Sequence, residues 1–198
     1  MISIEGNIGA GKSFLCQLLQ QQTTLSVACE PVDDWTLGSN NVLDAFYSNP
    51  KKYACMFQTL VLRSRVEQTR SSPQLVERCV HSDKIFGTLN HALGNMDDVE
   101  FAAYLYQYEQ AVKDTLPITK YIYVQTPVHI CVQRMAIRNR DEEQGVPEWY
   151  VRCLQEAHNN WLLTGQSNVL VLDGSEDWKN NKVAAQVVER VKAFVQEK

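Results

Sequence analysis

Long apolar runs are absent from this chain, which leaves no candidate for a membrane-crossing helix. No basic segment followed by an apolar run opens it, and the first strand starts almost at once, so no targeting segment is expected. The six cysteines (Cys16, Cys29, Cys55, Cys79, Cys131, Cys153) include no C-x-x-C pair, so the close ligand spacing of a zinc site is missing and none is expected. Glycosylation acceptors of the N-x-S/T type, internal repeats and low-complexity segments are also missing. Positive charge is not in excess: 19 Lys and Arg stand against 23 Asp and Glu, for a formal net charge of −4. That balance argues against partners such as nucleic acid or an acidic membrane surface. Together these absences predict a cytoplasmic protein whose reduced cysteines lie mostly in the core.

What is present reads as an ordinary globular chain of 198 residues, 44% hydrophobic and 21% charged, long enough for one sizeable domain. Short apolar runs alternate with longer amphipathic stretches, the pattern of α/β units around a parallel sheet. Five strands are predicted, at Met1–Glu5, Leu25–Cys29, Gln74–Val76, Tyr121–Gln125 and Val169–Leu172. Helices are predicted over Lys12–Gln22, Pro50–Arg70, Asp97–Thr115, Pro127–Arg138, Pro147–Leu163 and Asn181–Val195. Pro50, Pro127 and Pro147 each fall where a first helical turn tolerates proline. Ligands of such a sheet gather at the carboxyl ends of its strands.

The sharpest local signal is Gly6-Asn7-Ile8-Gly9-Ala10-Gly11-Lys12-Ser13, a full G-x-x-x-x-G-K-[ST] motif between an apolar strand and a helix. Its glycines let backbone N–H groups turn inward around a phosphate chain, and the helix N-terminus adds a positive dipole end. Lys12 would bridge the outer phosphates of ATP and the Ser13 hydroxyl would ligate Mg²⁺. The second strand ends in Cys29-Glu30-Pro31-Val32-Asp33-Asp34-Trp35, where a carboxylate beside the phosphate loop can take a proton from an attacking hydroxyl. The third ends in Glu77-Arg78-Cys79-Val80-His81-Ser82-Asp83, an acid–base pair suited to Mg²⁺ and a phosphoryl oxygen. Arg134 and Arg138, one helical turn apart, are followed by Arg140, a cluster that can close over a phosphate chain. Read singly, the last three segments are equally a surface turn, a surface ion pair and a solvated helix end.

Taken together and in order, EGNIGAGKS (Glu5–Ser13), EPVDDW (Glu30–Trp35), FQTLVLRSR (Phe57–Arg65), ERCVHSD (Glu77–Asp83) and RMAIRNRDEEQGVP (Arg134–Pro147) resemble the deoxynucleoside kinase family. That family includes deoxycytidine, deoxyguanosine and mitochondrial thymidine kinases. The resemblance implies one kinase domain over residues 1–198, a five-stranded parallel sheet surrounded by helices, and a lid at about 134–147. It implies Glu30 as the base on the sugar 5′-hydroxyl, with Glu77 and Ser13 holding Mg²⁺ and Arg78 steadying the transferring phosphoryl group. Gln58 would bond the nucleobase edge, Phe57 and Trp35 would pack on its ring, and Phe46 and Val61 would belong to the substrate pocket. Tyr47 and Glu143 would bond the sugar 3′-hydroxyl. Arg134, Arg138 and Arg140 would close over ATP, and Glu176-Asp177-Trp178 resembles the family's loop near the adenine. A homodimer built on long helices is implied as well. Two departures stand out: Cys79 replaces the usual serine, and an aromatic that commonly stacks on the base would fall at Gly87, with Phe86 immediately before it.

Arg65 and Asp83 bear on which base is accepted. Arginine and aspartate at these positions resemble the deoxycytidine and deoxyguanosine kinase types of the family, where a charge pair fills the space a thymine methyl would need. The resemblance therefore favours deoxycytidine and purine deoxynucleosides, the other reading being a structural salt bridge alone. Val61 is more typical of thymidine-type pockets and keeps thymidine open. Two other readings remain: a nucleoside monophosphate kinase, which would need extra cations for its acceptor phosphate, and a nucleotide-hydrolysing switch, for which the guanine motif N-K-x-D is missing.

Overall fold

The architecture, known here from a computed structural model, is described for residues 1–197. Strand β1 (Ile2–Gly6) leads through the phosphate loop into α1 (Lys12–Gln22), and then to the short strand β2 (Val27–Ala28). A 3₁₀ turn at Val32–Trp35 precedes a small antiparallel hairpin, β3 (Thr36–Leu37) and β4 (Asn40–Asn41). Helices α2 (Val42–Ser48) and α3 (Pro50–Thr69) follow, then β5 (Leu75–Glu77), α4 (Val80–Ala92) and α5 (Asp98–Asp114). The second half contains β6 (Lys120–Gln125), α6 (Val128–Arg138), a 3₁₀ turn at Asp141–Glu143, α7 (Glu148–Leu162), β7 (Val169–Asp173) and α8 (Asn181–Gln196).

The sheet is parallel throughout, in the order β2-β5-β1-β6-β7. Central strands covered on both faces must be apolar nearly end to end, and β1 (ISIEG) is buried at all five positions. The edge strand β2 is only half-buried and pairs with β5 over two residues, so the expected strand Leu25–Cys29 shortens. Helix starts follow local chemistry. The Asn49 side chain accepts from Lys52 N–H with Pro50 in the first turn of α3, and Asp97 and Glu100 satisfy each other's backbone N–H ahead of α5. Pro127 and Pro147 lie one position before their helices rather than inside them.

Two helices lie outside the predicted set: α2 is a seven-residue element between two asparagine caps, and α4 carries Gly87 in its interior. Glycine in mid-helix costs about 1 kcal/mol relative to alanine, and packing explains its presence. A Cβ at Gly87 would lie 2.2 Å from Cε1 of Tyr104, so only glycine lets the Tyr104 ring seat against α4. Apolar side chains form two principal clusters. One packs α1, α6, α7 and α8 onto the sheet around Ile4, Leu15, Ile122, Leu154 and Val188. The other joins the Val32–Trp35 turn to α2, α3 and α5 around Trp35, Phe46, Phe57, Leu62 and Tyr104. The carboxyl ends of β1, β2 and β5 meet between them.

Candidate active site

The phosphate loop turns on glycines with positive φ: 73° at Gly9, where a Cβ would lie 2.5 Å from the Cys131 carbonyl, and 107° at Gly11. Asn7 fixes the loop from within, because its Oδ1 accepts Ile8 N–H at 2.9 Å and its Nδ2 donates to the Val151 carbonyl of α7 at 2.8 Å. Lys12 is buried and donates to the Asn7 carbonyl at 2.8 Å. Burial, with help from the nearby Arg78 cation, pushes the Lys12 ammonium down to about 8 against the pull of Glu77, Glu30 and Glu5. Ala10 accepts from Arg134 Nη1 at 2.9 Å and from Thr126 Oγ1 at 2.8 Å.

A carboxylate network joins the loop to β2 and β5. Ser13 Oγ donates to Glu77 Oε1 at 2.7 Å, and Glu77 Oε2 accepts the Glu30 backbone N–H at 3.2 Å. Glu30 Oε1 accepts from Arg65 Nη2 at 2.5 Å and forms an ion pair with Arg78, whose Nε lies 3.3 Å away. Arg65 also binds Asp83, with Nε 3.0 Å from Oδ2 and Nη2 3.2 Å from Oδ1. Burial alone would raise the Glu30 carboxyl, but Arg65, Arg78 and Lys12 outweigh it and hold it down at about 2. Arg78 has φ +62°, an uncommon conformation for a side-chain-bearing residue and one that gathers at functional sites. Its Nη1 and that of Arg65 are buried without an acceptor, and buried unpaired donors are costly unless something binds them.

Beyond Glu30 lies an apolar slot. Phe46 and Phe57 stack at 5.0 Å, and Trp35 meets Phe57 edge-on at 5.4 Å while its indole N–H donates to Ser64 Oγ. Gln58 is buried in the same wall, and its amide makes no hydrogen bond among the described residues. Phe86 lies under the Arg78 guanidinium at 4.8 Å. The cavity of about 310 Å³ thus runs from Gly9, Lys12 and Ser13 past Glu30, Glu77 and Arg78 to Trp35, Gln58, Val61, Arg65 and Asp83. Tyr47 and Glu143 close one side together with Arg138 and Arg140.

The remaining expected residues take the following places. Phe86, not Gly87, faces the cavity, because Gly87 is taken up by Tyr104. Glu143 is bound by Arg138 and lies 3.6 Å from Arg140, so two lid arginines and the expected sugar ligand form one cluster. Arg134 holds the back of the phosphate loop instead of lining the cavity. Trp178 is buried, its ring 3.9 Å from where a Cβ on Gly11 would fall, whereas Glu176 and Asp177 are exposed in the turn after β7 and lie outside the cavity. Cys79 is buried, and its backbone N–H donates to Ser82 Oγ at the start of α4. The cysteines are not as scattered as their spacing suggests. Cys16, Cys29 and Glu77 bring ligand atoms within 4.8 Å of one another, which sequence distance hides because they come from α1, the segment after β2 and the end of β5. Glu5, buried under Arg78 with its carboxyl raised by burial, accepts from Ser3 Oγ and was flagged by no motif role.

A parallel sheet whose phosphate loop opens beside a fixed carboxylate, two buried arginines and an aromatic slot defines a P-loop phosphotransferase with a small ring-bearing acceptor. The deoxynucleoside kinase family model matches residues 2–196, and the chain belongs to that family. It is an ATP-dependent phosphotransferase of nucleotide salvage. A probable deoxycytidine kinase of fowlpox virus is 34% identical over 191 residues, covering 89% of this chain and 80% of the relative. Human deoxycytidine kinase is 31% identical over 236 residues, covering 98% and 90%. A thymidine kinase of ictalurid herpesvirus 1 is 31% identical over 169 residues, covering 82% and 74%. Among the described residues no helix is long and apolar enough to cross a membrane.

Proposed function

We propose that the chain transfers the γ-phosphoryl group of ATP to the 5′-hydroxyl of a deoxynucleoside, with deoxycytidine and purine deoxynucleosides preferred over thymidine. The observation that carries this reading is the position of Glu30: an ionised carboxylate held by Arg65 and Arg78 where the phosphate loop meets the aromatic slot. The base would lie in that slot against Phe57, Phe46, Trp35 and Phe86, with the open amide of Gln58 for its edge. Glu30 would hold the 5′-hydroxyl and take its proton late, since phosphoryl transfer proceeds through a loose transition state in which the attacking oxygen keeps its proton for most of the path. A strongly acidic carboxyl suffices for that role and stays ionised across the working pH range. The unpaired guanidinium donor of Arg78 would meet the phosphoryl oxygens.

The adjoining hydroxyl of Ser13 and carboxylate of Glu77 are the hard oxygen donors that Mg²⁺ requires, and they fit it. When bound, Mg²⁺ neutralises charge on the outer phosphates. Lys12 and the glycine loop would cradle those phosphates, and Arg138 and Arg140 would swing from Glu143 to cover them, leaving Glu143 and Tyr47 for the 3′-hydroxyl. The preference for deoxycytidine is supported by the Arg65–Asp83 pair at the slot's polar edge, and by the names of relatives such as those from fowlpox virus and human. The free thiols suit a cytoplasmic, reducing setting. The apolar groove along α4 and α7, lined by Ile85, Leu89 and Trp161, is a surface on which a homodimer would form.

The test is ATP–Mg²⁺-dependent phosphorylation of deoxycytidine, deoxyadenosine, deoxyguanosine and thymidine beside their monophosphates. Turnover of nucleosides alone, led by deoxycytidine, is expected. A thymidine lead overturns the Arg65–Asp83 argument, and reaction of monophosphates only overturns the roles of Glu30 and Gln58.

A further inference from the structure

Cys16 Sγ, Cys29 Sγ and a carboxylate oxygen of Glu77 lie within 4.8 Å of one another. They come from the first half of α1, the residue after β2 and the end of β5, so the fold itself brings them together. Cys16 and Glu77 are buried, whereas Cys29 is half-buried and borders the cavity, so an ion has a path in. Neither thiol has a part in phosphoryl transfer. Gln20 Nε2 donates to Cys29 Sγ at 3.6 Å and orients it.

We propose that these three side chains form a binding site for a soft divalent ion of the Zn²⁺ or Cd²⁺ type, and that filling it arrests the kinase. Zinc takes thiolate sulfur at about 2.3 Å and carboxylate oxygen at about 2.0–2.2 Å in tetrahedral geometry, which puts neighbouring donors about 3.5–3.8 Å apart. From separations of at most 4.8 Å the three donors need close by no more than about 1.3 Å to reach that spacing, within what side-chain rotation provides. Two thiol protons leave to solvent as the ion enters from the cavity that Cys29 and Glu77 line. Mg²⁺, an oxygen-seeking ion, does not compete for the sulfurs. The ion would take Glu77 away from Ser13 Oγ and from the Glu30 backbone N–H, loosening both sides of the phosphate–acceptor junction. Binding rests on the geometry alone, while the arrest rests on the reading of Glu77 given above.

The experiment uses the full chain, reduced and freed of metal, titrated with Cd²⁺ in excess Mg²⁺ without ATP. Uptake is followed by the ultraviolet thiolate-to-metal charge-transfer band. One Cd²⁺ per chain is expected, with the band lost in both Cys16→Ser and Cys29→Ala. Cys29, half-exposed, carries the argument if the buried Cys16 variant folds poorly. Absence of the band, or its full retention in Cys29→Ala, overturns the site. The Cd²⁺-loaded chain, freed of unbound ion by desalting, is then assayed for phosphoryl transfer. Loss of turnover that a chelator restores, with Cys29→Ala active and resistant, is expected. Full turnover with Cd²⁺ held on both thiols overturns the arrest and leaves the site standing. A chain with no kinase activity under any condition refutes the proposed function, and the charge-transfer band still decides the site.

Discussion

Glu30 carries one charge that three cations share, and this makes its replacement informative. Glu30→Gln keeps the side chain's size and an oxygen for Arg65 but removes the charge. Turnover is expected to fall about 10²–10⁴-fold, the usual weight of a positioned base, while deoxynucleoside affinity by calorimetry stays within a few-fold. Near-normal turnover would remove Glu30 from its role. Lys12 makes a second residue-level prediction through pH. Its ammonium, lowered by burial to about 8, is charged in the free chain below that pH and neutral above it. ATP, a polyanion, binds the charged form, so its Kd should rise as pH climbs through about 8, approaching tenfold per unit. Lys12→Arg, charged at every accessible pH, should bind more weakly at neutral pH but with a flat profile. A flat profile in the parent chain would show that Lys12 stays charged.

Among the elements, α4 is the one whose sequence most conceals its structure. VHSDKIFGTLNHA has a glycine in its middle, a position that reads as a break in sequence, and the seat it makes for Tyr104 of α5 explains why glycine stands there. Gly87→Ala should cost about 1–3 kcal/mol by overpacking and lower Tm by about 2–4 °C for each kcal/mol, as calorimetry would register. Because Phe86 precedes it, the same change should raise KM for the deoxynucleoside more than it raises KM for ATP. Adding Tyr104→Leu should recover part of the lost stability, and a purely additive double variant would show that the ring is not the obstacle. The same contrast explains what could be read from sequence. Strands β1, β6 and β7, helices α1 and α3, and the loop from Gly6 to Ser13 are written in consecutive residues, so short apolar runs, a proline at a helix start and one motif suffice. Glu30, Arg65 and the Arg78–Asp83 stretch come from three separate segments, and only their family resemblance gave them a common purpose before the fold joined them. Where meaning depends on a neighbour far along the chain, as for Phe86 against Gly87, Arg134 behind Ala10, or Cys16 beside Cys29, local spacing carries no signal.

For the molecule as a whole, acid should act first through His158. The ring is fully buried near Phe86, Tyr123 and Trp161, with Nδ1 2.7 Å from the Leu154 carbonyl. Burial drives its pKa from 6.5 down to about 3, so the unfolded chain binds a proton there that the folded chain refuses. Folding stability should therefore fall as pH drops below about 6.5, by about 1.4 kcal/mol per unit, until the folded ring itself titrates near 3. Urea midpoints between pH 7 and 5 check this, and His158→Phe should flatten the slope by about one proton's worth. An unchanged slope would assign the acid sensitivity to other groups. The other feature that binds the molecule together is Arg65, which grips Glu30 with one nitrogen and Asp83 with two. Under the roles proposed for Glu30 and Arg65, a lineage carrying this arrangement is not free to trade one nucleobase for another by a single substitution, because any change at Arg65 also unmoors the proposed general base. New substrate preferences would have to accumulate first on the apolar side of the slot, at Val61 or Phe86, before the cation could be given up.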